Sequence, residues 1–309
     1  MPRDLVTGAF GYTGSRIAER LLDAGRDVVT LTRRAPGSHP LAERVAILPY
    51  EFDESAMARA LAGIDTVYVT LWMRFPRGDA TWEQMVSNVA RLARSAAAAG
   101  VRRLVYISVS NAAHDSSTAY FRAKAAAEDA VREAALGGAM TYAIVRPTLL
   151  YGDADILINN MAWTLRRLPV FGIPGDGTYR VQPVLVDDVA DLCVSLGAGD
   201  GPVEMDAAGP ETLTFNEVVG IVRGAVRSRS LVVHMPPTVV LVSTRVIGLA
   251  VRDIVLTRDE IRELMESLLV SAGPPTTPAR FSEWVAAHAS TIGRTYSSEL
   301  GRNFRFDRR

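Results

Sequence analysis

Over the first half of the chain, short β-rich runs alternate with longer stretches rich in alanine, leucine and arginine, the pattern of βα units that feed a parallel sheet. Strands are predicted at Asp4 to Thr7, Asp27 to Thr32, Val45 to Pro49, Thr66 to Leu71, Leu104 to Val109 and Tyr142 to Arg146, with helices between them. One helix spans Tyr12 to Ala24 and stops at Gly25, and another spans Trp82 to Ala99 and stops at Gly100. Each glycine supplies the left-handed conformation with which helices end. Right-handed crossovers then require a doubly wound parallel sheet, a Rossmann arrangement of the α/β class.

After Pro147 the texture becomes loop-rich, with Tyr151-Gly152-Asp153 and Phe171-Gly172-Ile173-Pro174-Gly175-Asp176-Gly177 as punctuation. A substrate-binding part is expected there. Val184 to Ala190 returns to strand-turn-helix form, and Asp187 and Asp188 read as caps for the amides of the helix that follows rather than as catalytic acids. A turn at Gly209 to Phe215 leads into another helix, and from Pro236 onward the chain reads as helical apart from Gly273-Pro274-Pro275. The expected division is residues 1–150 as the Rossmann domain, with 181–207 returning to it, and 151–309 as a smaller, mostly helical substrate-binding part.

Composition narrows the function classes. With 48% hydrophobic and 22% charged residues, the 309-residue chain suits a globular enzyme and excludes disorder. Acids and bases balance at 34 each, so no basic face suggests nucleic acid as a partner. Cys193, the sole cysteine, lies in an apolar helical stretch and reads as a buried, inert thiol. His39, His114, His234 and His288 are scattered without ligand spacing, so no metal is expected. The first strand begins so near Met1 that no signal peptide fits, and Thr238 to Val251, interrupted by Arg245, is too short and charged to span a bilayer. A cytoplasmic protein with no membrane span is expected. The helix from Pro236 to Val251 reads equally as an oligomer face, for instance of a homodimer, or as a pocket lid.

Two constellations carry chemistry. Thr7-Gly8-Ala9-Phe10-Gly11-Tyr12-Thr13-Gly14 follows the first strand and opens a helix, the context in which a glycine-rich fingerprint binds a dinucleotide. Gly8 allows the tight turn, Gly11 lets the backbone approach a pyrophosphate, Gly14 lets helix and sheet pack closely, and the free amides at the helix start hold phosphate charge. The second strand ends Leu31-Thr32-Arg33-Arg34. No acid stands there for the ribose hydroxyls of NAD(H), and two guanidiniums suited to an extra phosphate favour NADP(H).

The other constellation surrounds a compositional anomaly: of 34 basic residues, 33 are arginine and one is lysine, Lys124. Arginine does not replace a compact ammonium that must act on one neighbouring hydroxyl. Tyr120 stands four residues earlier, on the same face of a helix. An adjacent ammonium stabilises a phenolate and so brings a phenol toward useful proton transfer.

These residues resemble the short-chain dehydrogenase/reductase superfamily, its extended and atypical branch with an epimerase-like Thr-Gly-x-x-Gly-x-x-Gly pattern. Tyr120 and Lys124 match that family's Tyr-x-x-x-Lys, and Arg146-Pro147-Thr148-Leu149-Leu150-Tyr151-Gly152 resembles its Arg-Pro-x-x-x-Tyr-Gly segment beside the nicotinamide. Phe52-Asp53 resembles the adenine contact, Thr70-Leu71-Trp72 the cofactor-lining end of the fourth strand, and Asn88 the asparagine of the helix after it. Phe281-Ser282-Glu283-Trp284 to Tyr296 is similar to bacterial relatives of the dehydrogenase-like accessory subunit of respiratory complex I.

The resemblance implies an oxidoreductase in which Tyr120 is the acid/base and Lys124 lowers its pKa and binds the nicotinamide ribose. The third member is Ser108 or Ser110. Two other functions stay open, an NAD(P)-dependent epimerase or dehydratase and a non-enzymatic NADP sensor resembling NmrA-like regulators. The loop between serine and tyrosine is short, as in atypical members. Ile156 to Trp163, with Trp72, Met73 and Phe75, reads either as the lining for a hydrophobic or aromatic substrate or as core.

Overall fold

The computed structural model describes residues 2–32, 37, 39–48, 53–153 and 155–304. In chain order the first elements are β1 (Arg3–Val6), α1 (Tyr12–Asp23), β2 (Asp27–Leu31), β3 (Ala46–Leu48), α2 (Glu54–Leu61), β4 (Ile64–Val69), α3 (Trp82–Ala98), β5 (Arg103–Ile107), α4 (Ala119–Ala135) and β6 (Thr141–Pro147). They are followed by β7 (Leu149–Tyr151), α5 (Leu157–Arg167), β8 (Val170–Pro174), β9 (Arg180–Val181), β10 (Pro183–Leu185), α6 (Val186–Gly197) and β11 (Val203–Ala207). The rest comprises β12 (Leu213–Thr214), α7 (Phe215–Ala225), β13 (Leu231–Met235), α8 (Pro237–Val251), α9 (Arg258–Met265), α10 (Phe281–Ala287) and α11 (Glu299–Asn303).

Two compact units emerge. The first comprises residues 1–146 and 189–206, the second 147–188 and 207–309. In the first, a seven-stranded sheet has the order β11-β6-β5-β4-β1-β2-β3, and β1 to β6 pair in parallel. This is the doubly wound order, reversing between β1 and β4. The predicted strands of the first half all form, each shifted by a residue or two. β5 is buried at every position, as expected of a strand covered on both faces. The core joins Leu5, Val29, Val67, Leu104 and Ile144 of the sheet to Val89 and Leu92 of α3 and Val131 of α4. The helix ends follow the expected chemistry: Gly25 and Gly100 take φ of 75° and 76°, and Thr81 caps α3 by accepting from the Gln84 amide at 3.2 Å.

The second unit has its own core, with Tyr151, Ile158, Leu165, Phe215, Val222, Phe281 and Val285. Three two-stranded sheets accompany its helices: parallel β7–β10 and β8–β13, and antiparallel β9–β12. The helical reading from Pro236, broken only at Gly273-Pro274-Pro275, is corrected. α8 to α11 are separated by loops at 252–257, 266–280 and 288–298, because local caps such as the Thr257–Glu260 box at α9 start short helices that nothing prolongs. Asp187 and Asp188 lie inside the first turn of α6 rather than before it, and Asp188 accepts the amide of Ala279 at 3.0 Å. Ile156 to Trp163 serves packing: Ile158, Met161 and Ala162 are core. Asn159 and Asn160 bind Ser297 through its hydroxyl at 2.9 Å and its carbonyl at 2.9 Å. No helix among the described residues is long and apolar enough to cross a membrane.

Candidate cofactor and catalytic site

The loops leaving β1 and β4 are stitched together by threonines. The Thr7 hydroxyl accepts the amides of Thr70 and Leu71 at 2.8 and 3.0 Å, and the Thr70 hydroxyl donates to the Thr7 carbonyl. Thr30 of β2 accepts the Ala9 amide at 3.1 Å and donates to Val6 at 2.7 Å. These bonds hold the glycine turn at the point where the strand order reverses. Gly8 has φ 66° and its carbonyl accepts the Gly11 amide at 2.7 Å. A Cβ on Gly14 would stand 2.3 Å from the Gly8 carbonyl oxygen, and one on Gly11 3.0 Å from it. The turn is therefore closed to any side chain at Gly14. α1 then starts at Tyr12 from a Gly11 cap that offers no side chain, and its first turn holds no acid. Its first-turn amides and positive dipole end suit an anion. Phe10 is buried with its ring 5.3 Å from that of His39, while Tyr12 and Thr13 are half-buried.

The other predicted cofactor contacts differ in placement. Asp53 caps α2, accepting the Ala56 amide at 2.9 Å and the Ser55 hydroxyl at 2.8 Å, bonds that lower its pKa. Phe52, Arg33 and Arg34 lie outside the described residues. Pro147 and Thr148 begin the second unit, where the Thr148 amide and hydroxyl both donate to the Ala207 carbonyl, at 3.1 and 3.3 Å. Asn88 is buried on α3 and accepts from Gln84 at 2.8 Å.

At the exit of β5, Ser108 and Ser110 are both buried, and the Ser108 hydroxyl has no hydrogen-bond partner among the described residues. Lys124 reaches the same strand end from α4: its ammonium donates to the Ile107 carbonyl at 2.8 Å. The ammonium lies 4.2 Å from the Trp72 ring centroid and 5.0 Å from that of Tyr106, so its other directions meet π faces. Only 2% of Lys124 is exposed, and burial pushes its pKa down to about 7, with the charge of Glu128 pulling the other way. Tyr120, half-buried one turn earlier, meets the same Trp72 edge-on at 6.3 Å between centroids. Trp82, the first residue of α3, stacks on Trp72 at 6.0 Å and meets Tyr120 at 5.5 Å. Trp82 drew no functional attention in the sequence because it reads as a helix start, although its aromatic character ten residues from Trp72 was visible.

Arg146, at the head of the Arg-Pro segment, is engaged within the fold. Its guanidinium binds Glu128 of α4 at 2.8 and 2.6 Å and Glu204 of β11 at 2.5 Å.

The turn closed by Gly8 and Gly14, the start of α1, the Ser108 hydroxyl and the buried Lys124 ammonium all lie at the carboxyl ends of the parallel strands, where doubly wound sheets bind ligands. The comparisons agree. Residues 8–196 match the family described as NAD(P)H-binding, and the chain belongs to it, within the extended and atypical short-chain dehydrogenase/reductases. It is 31% identical over 224 residues to the (4-alkanoyl-5-oxo-2,5-dihydrofuran-3-yl)methyl phosphate reductase of Streptomyces griseus, covering 69% of this chain and 70% of that one. It is 26% identical over 243 residues to the mitochondrial NADH dehydrogenase [ubiquinone] 1 alpha subcomplex subunit 9 of Arabidopsis thaliana, covering 75% of this chain and 60% of that one. The chain thus spans about three fifths of the length of that plant subunit. The fold is similar to the Citrobacter triphenylmethane reductase complexed with NADP(H), with a TM-score of 0.73 at 15% identity, covering 94% of this chain and all of that one.

Proposed function

We propose that the chain is an NADP-dependent oxidoreductase that interconverts a carbonyl and an alcohol. The single observation that carries this reading is the buried Lys124 ammonium, bonded to the Ile107 carbonyl at 2.8 Å and given no carboxylate partner among the described residues, one turn from Tyr120. A structural lysine would sit in water or beside an acid. Bound NADP(H) would supply or accept the hydride. The first-turn amides of α1 hold the pyrophosphate, Lys124 donates to the nicotinamide ribose, and Tyr120 passes its phenolic proton to the substrate oxygen or takes it back. The unpartnered Ser108 hydroxyl supports Ser108 over Ser110 as the donor that orients that oxygen. Arg33 and Arg34, with no acid at the end of β2, support NADP(H) over NAD(H). The Trp72, Trp82 and Tyr120 rings support a hydrophobic or aromatic substrate.

The test is a titration of the purified chain with NADPH and NADH, followed by a carbonyl panel read at the nicotinamide absorbance with wild type and Tyr120→Phe. NADPH binds more tightly, and Tyr120→Phe lowers kcat by about 100-fold or more while leaving NADPH affinity within about threefold, the loss expected of a general acid. Unchanged turnover in Tyr120→Phe removes the phenol from the chemistry.

A further inference from the structure

Lys124 stands four residues before Glu128 on α4, a spacing at which a lysine and a glutamate readily pair. The pair does not form. Glu128 is 2% exposed, and both its oxygens are taken: Arg146 Nε and Nη2 donate to Oε1 at 2.8 Å and Oε2 at 2.6 Å, and Arg132 Nη2 donates to Oε2 at 2.9 Å. Glu204 closes a square, bonded by Arg132 at 2.7 and 2.8 Å and by Arg146 at 2.5 Å. Arg132 also donates to Asp129 of α4 at 2.7 Å, so acids from α4 and β11 share two guanidiniums from α4 and β6, and the neighbouring ammonium is left out.

We propose that Arg146 is a positioning residue for Lys124: by gripping both oxygens of Glu128 it keeps that buried carboxylate from capturing the ammonium, which stays on the Ile107 carbonyl at the exit of β5. The inference rests on the reading that Lys124 serves the cofactor. The ammonium of Lys124 faces the Tyr106 ring of β5 and the Trp72 ring beyond β4 and feels the charge of Glu128, with Tyr120 one turn earlier on α4. Of these, Glu128 alone is a carboxyl group, and it is the one that could capture the ammonium. Lys does not duplicate the Arg146 grip, because an ammonium cannot address both oxygens in a planar fork. A surface ion network on the same helix would have no bearing on Lys124. This one is distinguished by the burial of Glu128 and by the ammonium's choice of a neutral carbonyl over an acid one turn away.

The experiment is NADPH binding to the full chain, followed by nucleotide fluorescence from pH 6 to 9, for wild type, Arg146→Met, Arg146→Lys, the Glu128→Gln/Arg146→Met double variant and Lys124→Met. In Arg146→Met, Glu128 engages the ammonium, so NADPH affinity at pH 6 falls by about tenfold and the alkaline limb of the binding profile moves up by about one pH unit. Removing the acid as well restores the wild-type limb and affinity in the double variant. Should Arg146→Met fail to fold, Arg146→Lys carries the test, with a shift of the same sign and smaller size. A folded Arg146→Met or Arg146→Lys with the wild-type profile overturns the proposal, as does a double variant whose limb stays displaced. Wild-type affinity in Lys124→Met instead refutes the cofactor role of Lys124 on which the inference rests, leaving the two failures distinct.

Discussion

At the N-terminal edge of the sheet, Asp4 is wholly buried and Arg26 grips both its oxygens, with Asp65 holding the same guanidinium at 2.8 Å and Arg102 bonding Asp65 in turn. At the C-terminal edge Lys124 is nearly as buried, yet it receives a backbone carbonyl and two aromatic faces. Both charges cost desolvation, and only the first is offset by a directly bonded opposite charge. The difference follows the division of labour in doubly wound sheets, where ligands bind beyond the carboxyl ends of the strands. The charge at the structural edge is neutralised within the fold, whereas the charge at the ligand edge is kept for something the fold does not contain.

The largest effect belongs to the paired edge. Arg26→Met leaves Asp4 buried and uncompensated and lowers stability by about 3–5 kcal/mol, read from urea unfolding. NADPH affinity of the molecules that remain folded should be unchanged, because the substitution lies at the opposite strand ends from the glycine turn. Loss of affinity in the folded fraction would mean the two edges are not independent.

Gly14→Ala comes next and probes the ligand edge. Its Cβ meets backbone rather than a side chain that can swing away, so the β1 turn and α1 must separate. Stability falls by about 1–3 kcal/mol, the usual cost of overpacking, and NADPH affinity falls with it. A thermal melt and an NADPH titration on the same sample check both, and a loss confined to stability would place the anion site elsewhere.

How far these edges were legible in the sequence depends on how local their signals are. The six parallel strands and the glycine turn were readable because the strands are short β-rich runs, mostly buried, set between helical stretches, and because Gly8 and Gly14 answer steric demands within one loop. β7 to β9, β12 and β13 went unread: they have two to five residues each, pair with distant partners and lie among Gly and Pro, so no period develops. Lys124 stood out by rarity alone. What surrounds it did not, since Glu128, Arg146 and Glu204 belong to three elements and only the fold brings them together. The motif match marked the segment from Arg146 to Gly152 without showing that the Arg146 guanidinium binds two glutamates.

The smallest effect sharpens the comparison most, because its sign is opposite to that of Arg26→Met. Lys124→Met replaces an uncompensated buried cation by an apolar chain of similar length, and should raise stability by about 1–2 kcal/mol at pH 6 while lowering NADPH-dependent turnover strongly. The pH dependence follows from the depressed pKa, which falls from its ordinary 10.5 to about 7 in the fold. Below pH 7 folded and unfolded chains both hold the proton, and the cost of burying it is fully present. Between pH 7 and 10.5 the unfolded chain binds a proton that the folded chain has released, so raising the pH stabilises the wild type. The lead of Lys124→Met over wild type in urea unfolding should therefore shrink as the pH climbs from 6 to 9. A lead that is the same at every pH would show that Lys124 titrates as an ordinary lysine, and a variant less stable than wild type at pH 6 would show that the ammonium is held for stability after all.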